Sequence, residues 1–409
     1  MISSEERLLY HNRSPYSMIR LEFGEEQVID SSTNNKYTRA AATFNSWLKE
    51  GVLAQEECPA FYLVEHCFPY QDNMQSRWGL IARVKLENLG AGQIKAHEKT
   101  LSEPSIDRFN LLKSCHANFS PVMGMIHTQN GELVQLLRNL AKEEPILSAV
   151  DSYGVSYRLW VITATEKASS VSKFFDDKVI YIADGHHRYE TALRYQQEQR
   201  ASDSSSSEDE PYNFVMMNLM DSQDPGLVML PTHRLVKSSK SKRELEEKLS
   251  RYLVDEDTLP RLSTFSETIQ SWLQILRERK GPGTLFGIYG LRKQSCSLMR
   301  LRKDTEVKKL MSVDETGQNL DVSLLHHVIL KTALGIDSPD KERMQLEYTR
   351  DELEAVARVD SGECKFAIFL NPTPIFNIIA AANTGSRLPQ KATYFYPKTP
   401  AGLVINPLW

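Results

Sequence analysis

The chain has 409 residues, of which 41% are hydrophobic and 25% are charged. This balance is typical of a globular enzyme and excludes an intrinsically disordered or membrane protein. The net charge of −4 provides no overall attraction for a phosphodiester backbone, so a nonspecific nucleic-acid binder is disfavoured.

Membrane and disulfide signals are both missing from the sequence. No apolar run approaches the ~20 residues that cross a bilayer, and residues 1–6 lack the basic-then-apolar order of a signal peptide. The five cysteines are scattered, with no CxxC pair to indicate zinc or redox chemistry. We therefore expect a cytoplasmic protein with reduced thiols and no membrane partner.

Hydrophobic periodicity and turn residues predict alternating helices and strands along the chain. In chain order, the sequence predicts a helix at 43–50, strands at 60–67, 78–86 and 178–183, a helix at 189–200, a strand at 214–220, helices at 242–252, 266–278 and 324–334, and a strand at 365–370. This mixture predicts the α+β fold class.

One acidic, serine-rich stretch breaks this pattern. Residues 202–211 lack apolar anchors and are predicted to form a mobile loop. We therefore divide the chain into an N-terminal α/β unit (1–90), a core carrying the histidine-rich motifs (91–200), the loop (201–211) and a C-terminal α+β region (212–409) that completes the site.

The run Asp184-Gly185-His186-His187-Arg188 follows the predicted strand at 178–183 and precedes the predicted helix. A glycine at such a corner lets a ligand approach the backbone, and the helix start offers free N–H groups and a positive dipole end. Arginine can clamp phosphate oxygens, histidine can donate to them, and Asp184 could ligate Mg²⁺. The alternative is a capped helix with two ordinary histidines.

Three further stretches could supply reactive groups. In the run 95–100, Glu98 beside His97 could act as a general base, although a solvated helix start would contain the same residues. The stretch 388–399 carries Lys391, Thr393 and Lys398 and could form a phosphate or substrate loop, or an edge strand. The run 231–234 could add His233 and Arg234 to the same pocket, or could be a turn.

These motifs together resemble a widespread family of uncharacterised bacterial and archaeal proteins whose hallmark is the DGHHR box. The resemblance covers nearly the whole chain and is carried by Trp78-Gly79-Leu80, His97-Glu98-Lys99-Thr100, Asp107-Arg108, Ile182 through Arg188, Leu230 through Arg234 and Pro389 through Lys398. Family members usually begin with a further segment, so the start of this chain is interpreted as truncated or diverged.

That family is in turn similar to free-serine kinases of the ParB/sulfiredoxin-like fold, which phosphorylate L-serine with ADP or ATP. The resemblance implies a ParB/sulfiredoxin-like catalytic core in which Glu98 is the catalytic glutamate. It implies that Asp184 through Arg188 hold nucleotide phosphates. By order along the chain, Pro389, Lys391 and Thr393 would contribute to the substrate pocket, with Gln390 intervening between the first two.

The resulting hypothesis is a kinase in which Glu98, the Asp184–Arg188 corner and the Lys391/Thr393 loop converge on one cleft. Glu98 would deprotonate the hydroxyl of L-serine or a similar metabolite, while the corner and Mg²⁺ stabilise the charge of ADP or ATP phosphates. A nucleotide-sensing binding protein and a phosphohydrolase with the same phosphate cradle remain alternatives. The acceptor and oligomeric state, including a homo-oligomer, remain open.

Overall fold

The structure is a computed structural model that describes residues 3–98, 102–202, 207–259, 264–279, 284–292, 295–311 and 320–409. Its α-helices are α1 Ser4–Arg13, α2 Ile19–Glu22, α3 Lys36–Lys49, α4 Ser102–Cys115, α5 Glu132–Leu140, α6 Thr165–Phe175, α7 His186–Ser202, α8 Lys242–Leu249, α9 Phe265–Glu278, α10 Val307–Leu310, α11 Asp321–Leu324, α12 Pro339–Gln345, α13 Glu352–Asp360 and α14 Ile375–Thr384. A 3₁₀ turn spans Pro211–Asn213, and a π-helix spans Leu325–Ala333.

The strands are β1 Phe61–Tyr70, β2 Asn73–Lys85, β3 Ile94–Lys95, β4 Ala117–Asn118, β5 Val122–Ile126, β6 Leu147–Val150, β7 Ser156–Ile162, β8 Ile180–Asp184, β9 Phe214–Asp221, β10 Val228–Met229, β11 His233–Val236, β12 Leu253–Leu259, β13 Leu285–Tyr289, β14 Cys296–Leu301, β15 Leu346–Thr349, β16 Phe366–Phe369, β17 Phe395–Tyr396 and β18 Asn406–Pro407. The predicted α+β class is confirmed.

The chain forms two units that differ from the four predicted segments. The first unit contains Met1–Ala96, Thr100–Val228 and Pro397–Trp409, and the second contains His97–Lys99 and Met229–Tyr396. Strands from the predicted segments 1–90, 91–200 and 212–409 share one sheet of the first unit, because pairing depends on strand edges and not on chain order. Residues 203–206 of the predicted loop lie outside the described residues.

An eight-stranded mixed sheet forms the centre of the first unit, in the order β3-β8-β5-β9-β2-β1-β7-β6. The β3/β8 and β5/β9 pairs are parallel, and the other pairs are antiparallel. β8 and β9 are almost continuously apolar because the central strands are buried on both faces. On one face, Trp78 stacks on Trp160 with ring centroids 5.3 Å apart. The C-terminal segment covers part of the other face through Leu403 and Val404.

A six-stranded antiparallel sheet forms the centre of the second unit, in the order β12-β14-β13-β16-β11-β15. One face packs on an apolar cluster that includes the π-helix, and the other packs on a cluster that includes side chains of α9 and α13. The helix predicted at 324–334 is this π-helix, a rare form that hydrophobic periodicity does not distinguish from an α-helix.

Candidate functional site

The strand-to-helix corner has the order that the sequence predicts, but its helix begins three residues earlier. β8 ends at Asp184, Gly185 turns the chain at a φ of 90°, and α7 begins at His186. The Tyr189 N–H donates to the Gly185 carbonyl at 3.0 Å. The two histidines and Arg188 therefore lie in the first turn of α7, where backbone N–H groups lack intrahelical partners.

Gly185 is required here for two physical reasons. Its positive φ is costly for residues that carry a Cβ. A Cβ added to it would also lie 2.8 Å from Nη2 and 2.9 Å from Nε of Arg188, so the arginine crosses directly over the glycine. The glycine thus allows the guanidinium to lie flat on the corner.

Two cations hold the Asp184 carboxylate. Its Oδ1 accepts a hydrogen bond from the Lys398 ammonium at 2.7 Å, and its Oδ2 accepts one from Arg188 Nη2 at 3.1 Å. The other terminal nitrogen of Arg188 donates to the Pro121 carbonyl at 2.5 Å. Desolvation by itself raises the pKa of Asp184, but the charges of Lys398 and Arg188 oppose it and leave the pKa below its ordinary value. The carboxylate is therefore ionised near neutral pH.

The two histidines of the corner have different environments. His186 is 5% exposed and contributes to the lowered pKa of Asp184, whereas His187 is half-buried. Among the described residues, no group of three or more His, Cys, Asp or Glu side chains is arranged to hold a metal ion. Cationic and donor groups surround the start of α7, which is the composition of an anion site.

The segment that carries Lys398 is anchored on the same sheet. The Asn218 amide nitrogen donates to the Thr399 hydroxyl at 2.9 Å, and Asn218 is 1% exposed. Gly79 makes room for that amide, since a Cβ there would lie 2.1 Å from Asn218 Oδ1. Thr399 closes the stretch 388–399 that the sequence predicts as a phosphate or substrate loop, whereas no sequence motif predicts Asn218. A glycine inside a predicted strand was the available signal, because such a glycine often marks a close approach.

The loop that ends the second unit contains other predicted residues. His97 is fully buried, its Nε2 lies 3.4 Å from the Thr393 hydroxyl, and its carbonyl accepts from the Leu388 N–H at 2.6 Å. Glu98 pairs with Leu388 as an isolated parallel bridge. The backbone at His97 and Glu98 is thus fixed against the loop, and Glu98 keeps a half-buried side chain.

His233 and Arg234 lie in the second unit, where each contacts backbone groups of that unit. His233 is fully buried, accepts from the Leu370 N–H at 3.3 Å and lies 3.4 Å from a Glu352 oxygen. Arg234 is 3% exposed and donates to the Lys391 carbonyl at 3.2 Å. Burial lowers the pKa of Arg234 to about 10, so the guanidinium stays protonated at neutral pH.

Lys391 itself has a positive φ of 57° and an exposed side chain. Its carbonyl, held by Arg234, fixes the loop from the inside. Of the three predicted loop residues, Lys398 therefore joins the Asp184 corner in the first unit, whereas Thr393 contacts His97 and Lys391 lies in the second unit.

The Asp107-Arg108 pair lies among the N-terminal helices of the first unit. Asp107 accepts from the Tyr37 hydroxyl at 2.9 Å and pairs with Lys36 at 2.8 Å. Arg108 pairs with Glu22 at 2.7 Å, beside a cavity of about 130 Å³. These ion pairs tie α4 to α2 and α3.

In the part of the chain that is described, no helix is both long enough and apolar enough to cross a bilayer.

Three solved structures are similar to this chain at low sequence identity. A conserved hypothetical protein from Pyrococcus furiosus is 11% identical, covering 78% of this chain and 93% of its own, with a TM-score of 0.38. A free serine kinase in complex with AMP is 10% identical, covering 78% and 89%, with a TM-score of 0.39. SbnI from Staphylococcus aureus, with a C-terminal truncation, is 7% identical, covering 78% and 84%, with a TM-score of 0.36.

No curated protein matches this sequence. A protein-family profile, by contrast, matches residues 1–323, which is well over half of the chain. The chain therefore belongs to the family described as protein of unknown function DUF1015.

Proposed function

We propose that this protein is a nucleotide-dependent kinase that phosphorylates the hydroxyl of a small metabolite, with ADP or ATP as donor and L-serine or a similar compound as acceptor. The observation that carries the proposal is the pairing of Lys398 and Arg188 on Asp184 at the start of α7. Two cations at a helix N-terminus can stabilise the negative charge on the oxygens of a transferring phosphoryl group.

The donor phosphates would bind at this corner. A lysine has three N–H donors and an arginine has five, so both cations can hold phosphate oxygens while they remain near Asp184. Gly185 lets the phosphates approach the backbone, and His186 and His187 lie in the first helical turn beside the free N–H groups. Asp184 would keep Arg188 and Lys398 oriented and would lower the cost of placing two like charges together.

Asp184 does not fit the predicted role of a magnesium ligand. Each of its oxygens accepts a hydrogen bond from a cation, so a directly bound Mg²⁺ would lie against two positive charges. Mg²⁺ prefers carboxylate, phosphate and water oxygens and is often bound largely through substrate phosphates. We therefore propose that Mg²⁺ belongs to the donor as a magnesium–nucleotide complex, and we assign no step of the chemistry to it.

Glu98 is the proposed general base toward the acceptor hydroxyl. Its backbone is fixed by pairing with Leu388, and the preceding His97 is held by Thr393, so the carboxylate starts from a rigid position. His97 would then be a positioning residue. The proposal includes a ParB/sulfiredoxin-like core for the first unit, with the donor cradle at the end of β8.

The test is ³¹P NMR of the full chain with Mg²⁺ and ADP or ATP, with and without L-serine. We expect a phosphoserine resonance that depends on L-serine. Glu98→Gln should suppress the turnover rate by about 10²-fold or more while nucleotide affinity changes less than twofold, as expected for a lost general base. The matched control for Glu98→Gln is Glu166→Gln, at an exposed position on α6. Arg188→Ala should weaken nucleotide binding.

Other outcomes would replace the proposal. Nucleotide binding without any new phosphorus species would indicate a nucleotide sensor. Phosphate release that does not depend on L-serine would indicate a phosphohydrolase. Equal loss of binding and turnover in Glu98→Gln would make Glu98 a structural residue.

A further inference from the structure

Arg387 is a cation of the second unit that has no polar partner among the described residues. Its side chain is half-buried, and its Nη1 atom is buried without a hydrogen bond in that part of the chain. Buried polar atoms in native proteins are nearly always hydrogen-bonded, and a guanidinium donor is costly to leave unmatched. We therefore expect a ligand to supply the missing hydrogen-bond acceptor for this guanidinium nitrogen.

The backbone on both sides of Arg387 is held firmly. The Ser386 N–H donates to the Ala381 carbonyl at 3.0 Å, and the Leu388 N–H donates to the His97 carbonyl at 2.6 Å. Gly385, with a φ of 71°, ends α14 directly before this point. The unmatched side chain thus extends from a rigid segment, which reduces the entropy lost when it binds a ligand.

Other arginines make the same loop electropositive. Arg234 donates to the Lys391 carbonyl, and Arg350 lies over the Tyr394 ring at 3.9 Å, while neither forms an ion pair in the described part of the chain. Acidic groups in the same part of the second unit include Glu342, whose charge acts on Arg234, Glu98, which pairs with Leu388, and Glu352, which lies 3.4 Å from His233. Cations are therefore in excess around the loop.

We infer that Arg387 binds the carboxylate of the acceptor, so that the acceptor is a hydroxylated carboxylic acid and not a simple alcohol. The inference rests on the proposed function, because it assigns the loop to the acceptor through the neighbouring Glu98. Arginine matches a carboxylate with two parallel hydrogen bonds. Arg387 immediately precedes Leu388, whose backbone pairs with that of Glu98, so the two residues belong to neighbouring segments of the second unit.

The experiment compares three small probes by isothermal titration calorimetry of the full chain. L-serine carries an amine and a carboxylate, D-glycerate carries the carboxylate without the amine, and serinol carries the amine without the carboxylate. The variants are Arg387→Ala, Arg387→Lys and the control Arg243→Ala, whose side chain is 89% exposed on α8. ADP is titrated into each protein as a separate measurement.

We expect wild type to bind L-serine and D-glycerate more tightly than serinol. Arg387→Ala should lower the affinity for both carboxylates by about 10- to 100-fold, the usual range for a lost charged hydrogen-bond partner. Its affinity for serinol and for ADP should be unchanged. The affinity of Arg387→Lys for the carboxylates should lie between those of wild type and Arg387→Ala, because lysine keeps the charge without the bidentate geometry. Arg243→Ala should behave as wild type.

The inference is refuted if Arg387→Ala changes the affinity for all three probes equally or for none of them. It is also refuted if the variant loses affinity for ADP alone, because the loop would then be a phosphate site. It is also refuted if wild type binds neither carboxylate. ³¹P NMR separates this result from the proposed function. Carboxylate binding through Arg387 without phosphorylation would sustain the inference and reject the kinase, whereas phosphorylation of serinol and L-serine with equal efficiency would do the reverse.

Discussion

Replacing Gly185 with alanine tests the geometry of the corner, and Gly131→Ala is its matched control. Both glycines lie in the first unit and have positive φ values, 90° and 69°. At Gly131 an added Cβ meets nothing within 4 Å, whereas at Gly185 it meets three guanidinium atoms of Arg188 at 2.8 to 3.0 Å. The two variants therefore share the backbone penalty but differ in the displacement of Arg188.

The expected cost of each variant follows from these contacts. An alanine at positive φ costs about 1–2 kcal/mol, and Gly131→Ala should show no more than that. At Gly185 the arginine must also move away from the Pro121 carbonyl or from Asp184. The Asp184 pair is partly exposed and contributes little, and a lost hydrogen bond from a charged group adds about 1–2 kcal/mol. Gly185→Ala should therefore lower the free energy of unfolding by about 2–4 kcal/mol.

Urea unfolding and nucleotide titration together measure the two effects. We expect Gly185→Ala to weaken ATP binding about tenfold or more, because the proposed cradle loses both its close backbone approach and its arginine. Gly131→Ala should bind ATP as wild type does. If the two variants lose the same stability and bind ATP equally well, the crossing of Arg188 over Gly185 has no functional role.

Three further predictions concern groups that the structure places in defined environments. Burial lowers the pKa of His66 well below its ordinary value, and the charge of Arg77 lowers it further. The unfolded chain therefore binds a proton at His66 near pH ~6.5, whereas the folded chain does not bind it there. Stability should therefore fall as the pH drops below that point, and His66→Phe should flatten this slope in urea unfolding between pH 5 and 8. Trp160→Ala should cost about 3–5 kcal/mol because the ring is 6% exposed in the core, whereas Val150→Ala at an exposed position of the same sheet should cost little. Lys398→Met should weaken ATP binding about tenfold by removing one cation of the corner.

Each of these has an outcome that contradicts it. An unchanged acid slope in His66→Phe would show that another group binds the proton. Equal costs for Trp160→Ala and Val150→Ala would mean that the tryptophan stack contributes nothing to the core. Lys391→Met is the control for Lys398→Met, since its side chain lies in the other unit. If the two lysine variants lost the same affinity, the effect would come from net charge and not from the Asp184 contact.

The sequence by itself determined the local structure of the corner. A run of buried apolar residues, a glycine and a helix-compatible stretch predict strand, turn and helix from interactions within a few residues, and β8, Gly185 and α7 confirm that order. The start of α7 was predicted three residues too late, because nothing in His186, His187 or Arg188 distinguishes a first helical turn from a loop.

Only the tertiary structure decided which distant residues meet. Lys398 reaches Asp184 across 214 positions of the chain, and Thr399 reaches Asn218 across 181. The order of the motifs grouped Lys398 with Lys391 and Thr393, but the tertiary contacts place the first in one unit and the other two in the second. Arg387 resembles any surface arginine in the sequence, since its lack of a polar partner among the described residues is a property of its surroundings. Such contacts depend on how sheets assemble from strands far apart in the chain, and local periodicity contains no information about that pairing.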